Sequence, residues 1–132
     1  MSKSKRIVLD ASALIILLAK EKGWENVIPL LPRAVMSSVN IAEVAKYLIE
    51  RKGLKKSLIQ NMIEKLLDEV ISFDSAQAYT SAELIAHTKK YGLSLGDRAC
   101  LTLALNNSYS VYTADNAWKN INIDGLDIEF LR

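Results

Sequence analysis

Four acidic residues stand where the chain changes character: Asp10 closes "RIVLD", Glu43 lies in "VNIAEVAKYLIERKG", Asp97 in "LSLGDRACLTLALNN", and Asp115 just after "SVYTA". Gathered within a few ångströms and left unneutralised, four carboxylates repel one another strongly enough that some hold protons at neutral pH. A divalent cation removes that conflict. All-oxygen donors suit hard ions such as Mg²⁺ or Mn²⁺, and Mg²⁺ keeps several waters while taking only one or two carboxylates directly. Such an ion lowers the pKa of bound water, holds it in line with a phosphodiester and offsets charge on the leaving oxygen. The chemistry open to this set is metal-assisted phosphodiester hydrolysis.

Each acid also has a plainer explanation. Asp10 and Asp115 suit the N-cap positions of the helices that follow them. Ser94 and Asp97 have the spacing of a capping box, with the acid near the positive end of the helix dipole. Asp97, Cys100, Leu101 and Ala104 are nevertheless spaced i, i+3, i+4, i+7, which puts a carboxylate in line with an apolar stripe, where it needs a partner. On a helical wheel Glu43 lies across from the stripe of Ile41, Val44, Ala45 and Leu48, beside Lys46 and Glu50, as on a solvated face. Spacing alone favours the solvated reading for Glu43.

Other catalytic schemes find less support. His87 is the one histidine and sits in an amphipathic stretch, so a histidine-based triad has no basis. Neither a Gly-rich phosphate loop with its lysine nor a G-x-S-x-G elbow occurs. An Asp after a first strand can also be a phosphate-accepting nucleophile. "LDASA" lacks the second nearby Asp of haloacid-dehalogenase-like phosphatases, and the first strand lacks the acidic pair of a receiver domain.

The elements that must position the acids alternate. "RIVL" reads as a strand feeding the helix "ASALIILLAKEKG"; "AVMSS" feeds "VNIAEVAKYLIERKG"; "KKSLIQNMIEKLLDE" is amphipathic and precedes a brief strand "VISF". "SAQAYTSAELIAHTKKYG" reads as one helix ended by Gly92, followed by the Asp97 helix, the strand "SVYT", a short turn "NAWKNI" and a last strand "DIEFL". Alternation of this kind implies an α/β fold, a central mainly parallel sheet flanked by helices on both faces. Ligands then settle beyond the carboxyl ends of the strands, where Asp10 and Asp115 fall.

The 132 residues suit a single domain with a real core, and 50% hydrophobic with 24% charged residues is ordinary globular composition. The lone Cys100 offers no disulfide or zinc framework. A net charge of +2 permits an anionic partner without demanding one. "SKSKR" before "IVLDASALIILLA" imitates a secretory signal, but Asp10 interrupts an apolar run already shorter than the roughly 20 residues of a membrane span, so a cytoplasmic location is expected.

With these stretches in view, the chain resembles the PIN domain family, and within it the VapC-type toxins of toxin-antitoxin pairs. "VLDASALIILL" is similar to the family's first motif, "SSVNIAEVAKYL" to the second, "LSLGDRACLTLAL" to the third and "VYTADNAW" to the fourth; residues 53 to 91 carry no motif. The resemblance implies a PIN-like fold over residues 1–132 and Mg²⁺- or Mn²⁺-dependent cleavage of RNA. It assigns Asp10, Glu43, Asp97 and Asp115 to an acidic metal centre, with Asp10 and Asp97 as principal ligands and Ser12 and Thr113 as supporting hydroxyls. It also implies a homodimer and a cognate antitoxin. Two other readings are kept beside it: a PIN nuclease of RNA processing outside any toxin pair, and a non-catalytic module of the same fold.

For RNA contact, Arg51, Lys52, Lys55 and Lys56 cluster in "RKGLKK", and Lys89 with Lys90 form a second pair able to track a phosphate backbone. Charge that keeps an exposed helix junction soluble is the plainer account of each cluster. Tyr47, Tyr91, Tyr109, Tyr112, Trp24 and Trp118 are candidates for stacking on unpaired bases, packing being their usual role.

Overall fold

The computed structural model describes residues 5–132, so the first part of the basic "SKSKR" segment lies outside the described residues. Five short strands, β1 (Ile7–Leu9), β2 (Ala34–Ser37), β3 (Glu69–Ile71), β4 (Val111–Thr113) and β5 (Ile128–Phe130), form one sheet in the order β3-β2-β1-β4-β5. Every neighbouring pair is parallel. Val8 at the centre aligns with Val35 on one side and Val111 on the other.

The central strands are apolar without alternation because both of their faces are covered. Ile7, Leu9, Ala34 and Met36 point into one core, shared with the helices α1 (Ala11–Ala19), α2 (Ser38–Lys52) and α3 (Lys56–Leu66). Val8, Val35 and Val111 point into the other, shared with α6 (Leu95–Asn107), with Trp118 and with Leu84 at the junction of α4 (Ser75–Glu83) and α5 (Ile85–Thr88). The expected α/β architecture with helices on both faces is therefore observed. Among the described residues, no helix is long and apolar enough to cross a membrane.

Two departures from expectation have a local cause. α1 stops at Ala19 rather than running to Gly23, because Lys20 takes a left-handed conformation (φ 53°) and its N–H closes the helix on the Ile16 and Leu17 carbonyls. The stretch read as one helix from Ser75 to Gly92 breaks near Leu84 into α4, α5 and a 3-10 turn at Lys89–Tyr91. There the His87 N–H reaches back only to the Leu84 carbonyl, and the Thr88 hydroxyl donates to the same oxygen at 2.9 Å. A side-chain hydroxyl competing for a helical carbonyl loosens the regular ladder.

Candidate active site

The strand order reverses direction at β1 and β4, and that crevice at the carboxyl edge is where open α/β sheets bind ligands. Asp10 follows β1 directly and Asp115 lies two residues past β4. Helices running back across a parallel sheet start at this same edge, which brings the first turns of α2 and α6 alongside. They touch there: Asn40 Nδ2 on α2 donates to the Gly96 carbonyl on α6 at 3.0 Å.

Asp10 is the buried centre, only 3% exposed. Its carboxylate accepts from the Ala13 N–H at 2.9 Å, from Ser12 Oγ at 2.7 Å and from Thr113 Oγ1 at 2.6 Å. The two hydroxyls then accept in turn, Ser12 Oγ from the Ala114 N–H and Thr113 Oγ1 from the Asp115 N–H, both at 3.0 Å. One relay thus ties Asp10 to the loop that carries Asp115. Burial pushes the Asp10 carboxyl up to about 6; the bonds from Thr113, Ser12 and Ala13 oppose that rise, and the charge of Asp97 adds to it.

Asp97 does two jobs. Its Oδ2 accepts from the Ser94 N–H at 3.0 Å while its own N–H donates to Ser94 Oγ at 3.2 Å, so the expected capping box is present. Its carboxyl is also raised, by burial first and then by the charge of Asp115, against the pull of the Ser94 bonds and of Arg98. Asp115 is exposed and caps the Asn116–Asn120 turn through the Ala117 N–H at 2.9 Å. Glu43 is exposed by overall area, yet its carboxylate is fixed: Oε1 accepts from Asn40 Nδ2 at 2.8 Å and packs over Gly96. Beneath them Cys100 is fully buried, its thiol pushed well up by burial and then by Asp10, Asp97 and Glu43. The four acids share one electrostatic neighbourhood.

Among the described residues, no three His, Cys, Asp or Glu side chains converge tightly enough to clasp an ion by themselves. Each carboxylate is drawn instead toward a local donor: Asp10 to its hydroxyls, Asp97 to Ser94, Asp115 to Ala117 and Glu43 to Asn40. The donor set is hard oxygen throughout, and two of its members are held above their ordinary carboxyl range, chiefly by burial, with the charge of Asp97 adding to the rise of Asp10 and that of Asp115 to the rise of Asp97. That combination fits a hydrated divalent cation bound through one or two carboxylates and water.

Other expected contacts fall elsewhere. Arg51, Lys52, Lys55 and Lys56 are all exposed at the α2–α3 junction, and at 1.5 Å per residue Arg51 lies about 12 Å along α2 from Glu43. Lys89 and Lys90 are exposed, with Lys90 over the Tyr91 ring. Trp118 is 1% exposed and belongs to the core, and Tyr112 packs against the other core. An apolar groove of about 350 Å³ between α2, α3 and Val70 includes none of the acids. Chemistry, rather than concavity, marks the site here.

Sequence reasoning passed over Asn40 and Gly96. Asn40 is 1% exposed and falls on the buried line Asn40, Val44, Leu48. The wheel centred on Ile41 placed that line too far round the helix, because an amide was not counted as buried. Glu43 sits about 60° from Asn40, at the edge of the buried face rather than opposite it. The available signal was the Asn-x-x-Glu spacing, which pairs side chains on one helical face.

The PIN domain family model matches residues 7–123. Among solved structures, the chain is similar to DNA-bound VapBC from Salmonella typhimurium, at 19% identity and TM-score 0.70 over 98% of this chain and 100% of that one. It is similar to VapBC2 from Rickettsia felis, bound to a DNA fragment from its promoter, at 19% identity and TM-score 0.69 over 94% and 97%. VapBC-1 from nontypeable Haemophilus influenzae gives 22% identity and TM-score 0.66 over 95% and 97%. No curated protein matches the chain by sequence. Structural likeness at such identities speaks to the fold, and the family match spans most of the chain. With five parallel strands around an acid-lined carboxyl edge, this protein belongs to the PIN domain family.

Proposed function

We propose that this PIN domain is a Mg²⁺- or Mn²⁺-dependent endoribonuclease of the VapC type, the toxin of a toxin-antitoxin pair. The observation that carries the reading is the placement of Asp10 just past β1, Asp115 just past β4 and Asp97 in the first turn of α6, all at the sheet's switch point. A site that concentrates negative charge at a buried carboxylate is poised for a cation. Asp10 and Asp97 would be the principal ligands, with Glu43 and Asp115 completing the negative shell. When bound, the ion would supply an activated water and neutralise charge at the scissile phosphate.

The chain's own residues prepare that site. Ser12 on Oδ1 and Thr113 on Oδ2 fix both oxygens of Asp10, and the capping box fixes Asp97 relative to the α6 backbone. The antitoxin partner is inferred from the likeness to VapBC complexes, and a second copy of the chain from the family resemblance alone.

Purified protein incubated with single-stranded RNA should cleave it, stop on addition of chelator and resume with Mn²⁺. Asp10→Asn and Asp97→Asn should each lower the rate by at least a hundredfold while circular dichroism stays unchanged. Cleavage at the parental rate in either variant refutes its role, and cleavage indifferent to chelator refutes the metal. Co-purification with the product of an adjacent small reading frame separates a toxin from a processing nuclease of the same fold.

A further inference from the structure

We propose that Asn40 is a positioning residue which, together with Gly96, seats the Glu43 carboxylate at the acid centre; the inference rests on the metal-dependent reading above. Asn40 is 1% exposed, and both bonds of its Nδ2 are made, one to Glu43 Oε1 at 2.8 Å and one to the Gly96 carbonyl at 3.0 Å. A single amide nitrogen therefore spans from α2 to α6 and holds the acid of one helix against the backbone of the other.

The seat itself is shaped by an absent methyl group. A Cβ built on Gly96 would stand 2.6 Å from Glu43 Oε1 and 2.7 Å from its Cδ, well inside contact distance. Gly96 lies within α6 and is not among the glycines with positive φ, so its backbone conformation does not require glycine. What requires it is the approach of Glu43. Glycine in a helix is a cost that alanine would remove. Asn40 Oδ1 has no hydrogen-bond partner, a further cost borne at this point. Neither cost helps the fold, and both are explained if the carboxylate must lie over residue 96, one position from Asp97.

Gly96→Ala tests this cleanly, because the atoms in its way are the movable end of a side chain. The variant should fold with a Tm equal to or above the parent's. In ¹⁵N-labelled, metal-free protein, one Asn40 side-chain amide proton should shift in Gly96→Ala and in Glu43→Ala, and in Glu43→Ala its partner, bonded to the Gly96 carbonyl, should shift less. Mn²⁺ affinity should fall about tenfold in Gly96→Ala and in Asn40→Ala, and adding Gly96→Ala to Glu43→Ala should change nothing further.

Unmoved Asn40 signals in both metal-free variants overturn the proposal. So does parental Mn²⁺ affinity in both Gly96→Ala and Asn40→Ala. A parent protein that binds no Mn²⁺ overturns the metal-dependent reading instead, and the amide signals, which need no metal, then decide the clasp alone.

Discussion

Asp10 shows how one side chain couples the site to the stability of the fold. Its ordinary value is 3.8 and burial raises it to about 6. Between about pH 4 and 6 the folded chain keeps a proton on Asp10 that the unfolded chain has released, so raising pH through this window destabilises the metal-free fold. The full penalty, reached above about pH 6, is about 3 kcal/mol at 1.36 kcal/mol per unit. Chemical denaturation in chelator should show Asp10→Asn gaining on the parent by that order between pH 4 and 7. A gap that does not change with pH contradicts the burial argument. Mn²⁺ should bind more tightly as pH rises from 5 to 7, since the ion displaces that proton; calorimetry in two buffers counts the protons released.

Elements decide how well each acid is held. The capping box at α6 consists of two separable bonds, one made by the Ser94 hydroxyl and one by the Ser94 backbone N–H. Ser94→Ala removes the first alone. It should cost about 1 kcal/mol of stability, seen as a lower Tm, and leave cleavage within a few-fold of the parent because Asp97 keeps its backbone donor. α6 also carries Leu101 with no exposure, at the centre of the second core. Leu101→Ala should cost 2 to 5 kcal/mol by the usual range for such truncations, measured by urea unfolding. The existence of α1, α2, α3 and α6 was legible from apolar spacing and caps. The break at Leu84 was not, since Thr88 loosens its helix through a hydroxyl bond that apolar periodicity does not register.

At the scale of the whole molecule, charge is divided between two ends of α2. The acids gather near its first turns, and Arg51, Lys52, Lys55 and Lys56 lie beyond its last. On the proposed reading, a substrate long enough to reach both would meet the acid centre at one end and phosphate anchoring at the other. Replacing the four basic residues with alanine should weaken RNA binding at low salt and flatten the dependence of log affinity on log salt, with the rate at saturating RNA unchanged. An unaltered salt slope in filter binding would assign the cluster to solubility alone.

What the residues determined by themselves was chemical and periodic. Alternating strand and helix signals implied a parallel sheet, and the positions of Asp10 and Asp115 after two strands put both at one edge of it. Local caps at Ser94 and Asp115 could be read the same way, because a cap depends on neighbours in sequence. Only the tertiary structure decided where the Glu43 carboxylate lies. Its surroundings are made by Asn40 and by the backbone of Gly96, 53 positions away, and no helical wheel contains a residue from another helix. The same holds for the raised Asp10, whose burial comes from a sheet assembled out of strands a hundred residues apart.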